Sequence, residues 1–317
     1  MRRLVVVGAL TTGLVLAALP ATASDDLDEL FERASQAEFS GTKFVHCQTP
    51  DGVVSQMTDI KQSGGVAVIK ARTSDTEVIA RKGEYADRAG DYSRVATVSG
   101  GGVTDPTVRY EVEIAGVDRV LDRRITAVQI REGEMVRVLL GFDASSGAVL
   151  RTETFNAAGT SYCTSEFVAF MPGMPEMELI SMEEAERTQL VAYGGELDSD
   201  RLPAAVGGFS RIDVYSGTEG TMVAYYSDGF FSLSVMSSGS RLEIPELSGV
   251  EAAQIDGGSY QRKFFPGQVI YVWETPKGGY AMVSDAPVDM QLAVLADLPR
   301  PGKPFFLTRW WRALLGG

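Results

Sequence analysis

Residues 24–48 read SDDLDELFERASQAEFSGTKFVHCQ, and the period of the apolar positions changes inside that stretch. Leu27, Leu30, Phe31 and Ala34 stand at i, i+3, i+4 and i+7, the spacing that gathers apolar side chains on one helix face. Ser24 and Asp25 are capping residues, and Asp25, Asp26 and Asp28 suit the positive end of a helix. The spacing predicts an amphipathic helix over 24–37, ended by Glu38-Phe39-Ser40-Gly41. From Thr42 the period is two. Thr42 to Gln48 is an expected strand, with Val45 and Cys47 on one face and Phe44 and His46 on the other.

Upstream stand Met1-Arg2-Arg3, an apolar run from Leu4 to Leu19, and Pro20-Ala21-Thr22-Ala23. A basic start, an apolar middle and an A-x-A end make a secretory signal over residues 1–23, with cleavage expected after Ala23. The alternative is an uncleaved anchor, but the run is short for a span and contains Thr11, Thr12 and Gly13. No cysteine stands at the cleavage point to take a lipid. The exported chain is expected to work in the periplasm or another extracytoplasmic space. Losing Arg2 and Arg3 takes its formal charge from −13 to −15. So acidic a chain is no general binder of nucleic acid, which needs clustered Lys and Arg. It is also unsuited to broad docking on anionic lipid.

Downstream, Pro50-Asp51-Gly52 signals a turn. Further strands are expected at Val66 to Ala71, Glu77 to Ala80, Thr107 to Ile114, Ile125 to Arg131, Val136 to Asp143, Val149 to Phe155 and Ser161 to Phe170. Turns at 144–147 and 157–159 join the last three, and Ser99 to Thr104 is a glycine-rich loop. The pattern is a long antiparallel meander with one N-terminal helix, assigned to residues 24–175.

Cys47 and Cys163 suit an oxidising compartment. One intrachain bridge and two buried free thiols are the alternatives. Zinc is not expected, because His46 and two distant cysteines do not make a closed metal site.

Residues 176–205 read as a linker, with a short helix around Ser181 to Leu190. Met171, Met174 and Met177 lead into it and are expected to be adaptable packing. A smaller domain over 206–298 follows. Arg211 to Tyr215, Thr221 to Tyr226 and Phe230 to Met236 are expected strands around the turn Ser227-Asp228-Gly229, with Phe231, Leu233 and Val235 forming an apolar face. Gln268 to Glu274 and Tyr280 to Ser284 form another hairpin. A helix to about Asp297 takes Val288, Leu292 and Leu295 as its core stripe. The tail, 299–317, is aromatic and basic: it is too short to span a bilayer, and it suits either a membrane interface or a strap on the protein.

Catalytic raw material is scarce. His46, the single histidine, lies in an expected strand beside Phe44 and reads as a sheet-face residue rather than a base. No G-x-S-x-G, S-x-x-K, H-E-x-x-H or P-loop pattern is present. The acid pairs Asp198 with Asp200 and Glu153 with Glu166 read as solvated loops and strand faces. No cofactor, metal or catalytic residue is assigned, and the chain is not expected to be an enzyme. Binding fits better. A curved antiparallel sheet with a helix across it can enclose an apolar cavity, and Phe44, Val138, Leu140, Phe142 and Phe167 are its candidate lining. The alternative for each is plain core packing.

Three segments carry a family resemblance. Phe39-Ser40-Gly41-Thr42-Lys43-Phe44-Val45 after an amphipathic helix resembles the opening of the sigma-E regulatory proteins of the RseB/MucB family. Phe142-Asp143-Ala144-Ser145-Ser146-Gly147-Ala148-Val149-Leu150-Arg151-Thr152-Glu153 is similar to a hairpin of that family. So is Leu202-Pro203 with Gly208-Phe209, followed by Tyr226-Ser227-Asp228-Gly229-Phe230-Phe231-Ser232-Leu233-Ser234-Val235. The resemblance runs from about Leu27 to Leu298, and the two cysteines and the tail stand outside it. It implies an α+β fold: an N-terminal half-open antiparallel β-barrel with helices, like the lipoprotein carriers LolA and LolB, plus a smaller C-terminal α+β domain. It implies a regulator that binds the extracytoplasmic segment of an anti-sigma factor, shields it from proteolysis, and is released by lipid or lipoprotein acyl chains. Tyr226, Asp228 and Phe230 are then the partner-binding candidates, at the level of the domain. A carrier of LolA type is the alternative. Oligomeric state stays open, a homo-oligomer included.

Overall fold

The helix and the strand read from residues 24–48 both form. In the computed structural model α1 covers Asp25–Gln36 and β1 covers Phe39–Thr49. The structure describes residues 25–63, 66–72, 76–81, 84–89, 92–97, 109–175, 186–187, 191–192, 201–216, 220–238, 250–265 and 267–302. The expected leader, the loop at 99–104, Met177, Asp198, Asp200 and the tail from 303 lie outside them.

β1 starts earlier than Thr42 because Gly41 is strand rather than turn. A Cβ on Gly41 would stand 2.4 Å from the Ala169 carbonyl oxygen and 2.7 Å from the Phe167 ring. Glycine lets the neighbouring strand and that ring close over the backbone. Gly41→Ala is expected to destabilise by about 1–3 kcal/mol, read from a urea unfolding curve, because backbone must move to admit the methyl group.

The large sheet continues through β2 (Gly52–Ser63), β3 (Val66–Ala71), β4 (Thr76–Arg81), β5 (Glu84–Ala89), β6 (Tyr92–Thr97), β7 (Glu111–Val120), β8 (Arg123–Glu132), β9 (Met135–Asp143), β10 (Val149–Phe155), β11 (Ser161–Pro172) and β12 (Glu186–Arg187). Its twelve strands run β12-β6-β5-β4-β3-β2-β1-β11-β10-β9-β8-β7. The edges, β7 and β12, do not pair, so among the described residues the sheet is open and crossed by one helix. Every neighbouring pair is antiparallel except β6 with β12.

β2 carries no apolar alternation to announce it. Its inward positions include Thr58 and Gln62, and both have work inside. Thr58 is buried opposite Lys43, and the Gln62 amide donates to the carbonyls of Ala34 and Ala37 at 3.2 and 3.1 Å, closing the end of α1. The short helix expected at 181–190 is corrected: Glu186 and Arg187 form a strand beside Arg94 and Val95. Met171 and Met174 are exposed, so they do not pack as expected.

The second sheet holds β13 (Val191–Ala192), β14 (Ala205–Val206), β15 (Phe209–Ser216), β16 (Met222–Ser227), β17 (Ser232–Ser238), β18 (Glu251–Ile255), β19 (Gly258–Phe265), β20 (Gln268–Thr275) and β21 (Gly278–Ser284). Helix α2 (Val288–Asp297) packs on it. The expected α2 stripe is rotated. Met290, Gln291, Val294 and Leu295 are buried and Leu292 is exposed. Gln291 sets that register, since its side chain bonds the Ala286 carbonyl and accepts from the Tyr271 hydroxyl at 3.2 Å.

Phe31 of α1 meets Phe142 edge-on at 5.1 Å, and the core under α1 is continuous with that of the second sheet. The Phe142–Glu153 hairpin is held by Asp143. Its carboxylate accepts the Arg123 fork at 2.9 and 2.8 Å, the hydroxyls of Ser145 and Ser146 at 2.7 and 2.6 Å, and the Ser146 N–H at 2.8 Å. Burial alone would raise this carboxyl; Arg123 and the two serines outweigh it and hold it well below the usual carboxylate range. A depressed folded value contributes stability above the unfolded carboxylate value and loses it as pH falls, between about pH 5 and pH 1. Unfolding midpoints measured across that window should fall, and Asp143→Asn should flatten the slope.

Candidate functional site

The Tyr-Ser-Asp-Gly segment makes a tight turn between β16 and β17. Oδ1 of Asp228 accepts the N–H groups of Phe230 and Phe231 at 3.0 and 2.9 Å, and Ser227 Oγ accepts that of Gly229 at 3.0 Å. Gly229 has φ +103°, a conformation that favours glycine. This local chemistry uses one carboxylate oxygen and leaves Oδ2 aimed at the large sheet.

There Oδ2 accepts the Tyr110 hydroxyl at 2.5 Å and lies 3.2 Å from Nη1 of Arg109. Phe230 packs edge-on against Tyr110 at 5.1 Å. The ion pairs continue along the junction. Arg109 Nε donates to Glu132 at 2.8 Å, Arg137 Nε donates to the same carboxylate at 2.8 Å, and Arg137 Nη1 reaches Asp289 of α2 at 3.1 Å. Two carboxylates of the second sheet's layer are thus locked to an Arg-Glu-Arg row of the first. Burial pushes Asp228 above the usual carboxylate value, although Tyr110, the two turn N–H groups and Arg109 pull it down. Burial and the Asp228 charge drive Tyr110 far above the usual phenol value, so the hydroxyl remains a donor.

A second contact lies at the β1–β2 hairpin. Cys47 and Cys163 are register partners on β1 and β11 and form a disulfide. The Gly267 N–H, beside β20, donates to Cys47 Sγ at 3.1 Å. Arg262 of β19 pairs with Asp51.

The partner-binding candidates therefore turn inward. Tyr226 is buried with its hydroxyl on the Pro203 carbonyl at 2.9 Å, and Asp228 and Phe230 sit in the junction. The cavity candidates separate. Val138, Leu140 and Phe142 are buried together under α1. Phe167 is buried in a neighbouring cluster with Phe39, Ile60 and Leu150. Phe44 is 39% exposed on the opposite face, so it does not join them. A small pocket of about 10 Å³, with room for one water, lies elsewhere, between Tyr260, Leu295 and Pro301.

Glu153 and Glu166 both face Arg151, at 3.0 and 3.6 Å. His46 Nδ1 lies 3.2 Å from Ser55 Oγ. Among the described residues no cluster of three His, Cys, Asp or Glu could hold a metal ion, and no helix is long and apolar enough to cross a membrane.

Sequence reasoning missed Arg109, Tyr110, Glu132, Arg137 and Asp289, whose partners are distant in the chain. It also missed Lys43. The alternation that places Val45 and Cys47 inward places Lys43 inward too, and that was the available signal.

No family model and no curated protein matches the chain. Solved structures do. MucB in the MucA/MucB complex of Pseudomonas aeruginosa is 18% identical, with a TM-score of 0.50, over 88% of this chain and 99% of that one. A crystal structure of MucB alone is 17% identical, with a TM-score of 0.51, over the same shares. At such identity the likeness is one of fold, and it spans both sheets: this chain folds as MucB does.

Proposed function

We propose that the chain is an extracytoplasmic regulator that binds the outer segment of a membrane anti-sigma factor and shields it from proteolysis. Lipid or lipoprotein acyl chains, taken up by the large domain, would oppose that binding. One observation carries the reading: the fold matches, over 88% of the chain, that of MucB, a protein solved in complex with MucA. A carrier needs a single ligand-holding domain; a second domain fastened to it by ion pairs suits a protein that must present a composite surface. Regulation by binding uses no catalytic residues, and the reading assigns none. In this reading Tyr226, Asp228 and Phe230 shape the surface by fixing the small domain, 206–298, on the large one, 24–175.

The exported chain, Ser24 to Gly317, is the material for the test. It should pull down the extracytoplasmic segment of a candidate anti-sigma factor, protect it from protease, and lose it when lipid is added. Absence of binding, together with co-purifying acyl lipid, would overturn the regulator and favour a carrier of LolA type.

A further inference from the structure

The two ends of the Cys47–Cys163 bridge stand in different surroundings. Cys47 is 2% exposed, whereas Cys163 is only half-buried and lies just past the exposed turn at 157–160. The sulfurs also differ in their partners. The Gly267 N–H, from the turn between β19 and β20, donates to Cys47 Sγ at 3.1 Å. Among the described residues no donor meets Cys163 Sγ. The bridge closes the last pair of the β1–β11 ladder, at the end where both hairpins reach solvent.

A disulfide opens when a thiolate attacks one sulfur and expels the other. Access selects the sulfur attacked, and the better-stabilised thiolate leaves faster. Here both criteria choose the same direction. Cys163 is the open end. Cys47 is the end with a donor ready for the charge. A bridge that serves only as a staple requires no such agreement.

We infer that Cys47–Cys163 is a redox-active bond, opened by an external dithiol that attacks Cys163 and expels Cys47. One thiolate of the dithiol bonds to Cys163 Sγ. The Cys47–Cys163 bond breaks, and its electron pair leaves on Cys47 Sγ, which accepts the Gly267 N–H. The second thiolate of the dithiol then attacks its partner's sulfur, expels Cys163 as a thiolate and closes a disulfide in the reductant. Two electrons pass to the bridge, and the two cysteines take up the two protons that the dithiol loses. The ladder from Phe39 to His46 keeps the thiols opposite each other, so oxidation restores the bond. Gly267 belongs to the second sheet, so the redox state of the compartment reaches the contact between the sheets. The inference holds whether or not the chain binds an anti-sigma factor.

Reduction kinetics of the exported protein test this. In dithiothreitol the rate should rise in proportion to reductant and stay unchanged by urea below the unfolding transition. A rate that levels off with reductant and climbs with urea would show that the bond opens only in unfolded chains, and it overturns the inference. Brief exposure to 2-mercaptoethanol, an acid quench and peptide mass spectrometry then locate the attack. The adduct should stand on Cys163, with a free thiol at Cys47, in about tenfold or greater excess over the reverse, the factor expected of one hydrogen bond to the leaving thiolate. An adduct on Cys47, equal adducts on both, or none on either overturns the assigned attack. In urea-unfolded protein the preference should vanish, because Gly267 no longer stands beside Cys47. A preference that survives unfolding comes from neighbouring sequence and overturns the part given to Gly267.

Discussion

Asp228→Ala is expected to lower the unfolding free energy by about 3–5 kcal/mol, the range seen when one member of a buried ion pair is removed. The carboxylate is 3% exposed and serves two turn N–H groups, the Tyr110 hydroxyl and Arg109. Alanine leaves all of them without that acceptor. The turn loses its internal bonds, and the large sheet keeps a half-buried guanidinium and a buried phenol facing an apolar gap. Urea unfolding, followed by tryptophan fluorescence, gives the number. Trp273 lies in the second sheet, so a separate early transition would report that sheet coming away first. Asp228→Asn should lose less, since an amide oxygen still serves the turn. A loss below about 1 kcal/mol for Asp228→Ala would mean that the junction contributes only as an exposed ion pair does.

The same residue carries a pH signature opposite to that of Asp143. Its folded value is raised, mainly by burial, so the folded chain holds the proton to higher pH than the unfolded chain. Stability from this group therefore falls as pH rises from the unfolded carboxylate value through the raised folded value. Asp143 behaves in the reverse sense, because its partners outweigh its burial.

Reduction of Cys47–Cys163 is expected to cost about 4 kcal/mol, because the bridge closes a long loop in the unfolded chain. The separation is 116 residues, and the effect lies largely in the freedom returned to that unfolded state. The β1–β11 ladder runs from Phe39 to Cys47 without needing the bridge, so the reduced protein should keep its far-ultraviolet spectrum below its unfolding midpoint. Guanidinium curves with and without dithiothreitol measure the loss, and Cys47→Ala with Cys163→Ala should reproduce it. Equal midpoints in oxidised and reduced protein would show that the chain is held by its sheets alone.

Local pattern was enough for a definite part of this protein. The switch from period 3.6 to period 2 placed α1 and β1, and strict alternation placed Val45 and Cys47 inward. Turn residues announced the β9–β10 hairpin and the Ser227-Asp228-Gly229 turn. These features depend on residues within a few positions of each other, so the chain itself displays them.

What the chain could not display depends on groups that meet across long separations. β2 was hidden because Thr58 and Gln62 flank Ile60 at its inward positions, and those polar groups are useful only once Lys43 lies beside the first and the end of α1 meets the second. Phe44 read as lining because it is aromatic; alternation put it on the face opposite Val45, and only the packed sheet shows that face to be open. The α2 stripe turned because Gln291 found Ala286 and Tyr271 inside. The turn at Asp228 is visible in the chain, but its bond to Tyr110, 118 residues away, is not. Periodicity assigns each side chain to a face. Tertiary structure decides what covers that face, and with it whether a buried charge has a partner.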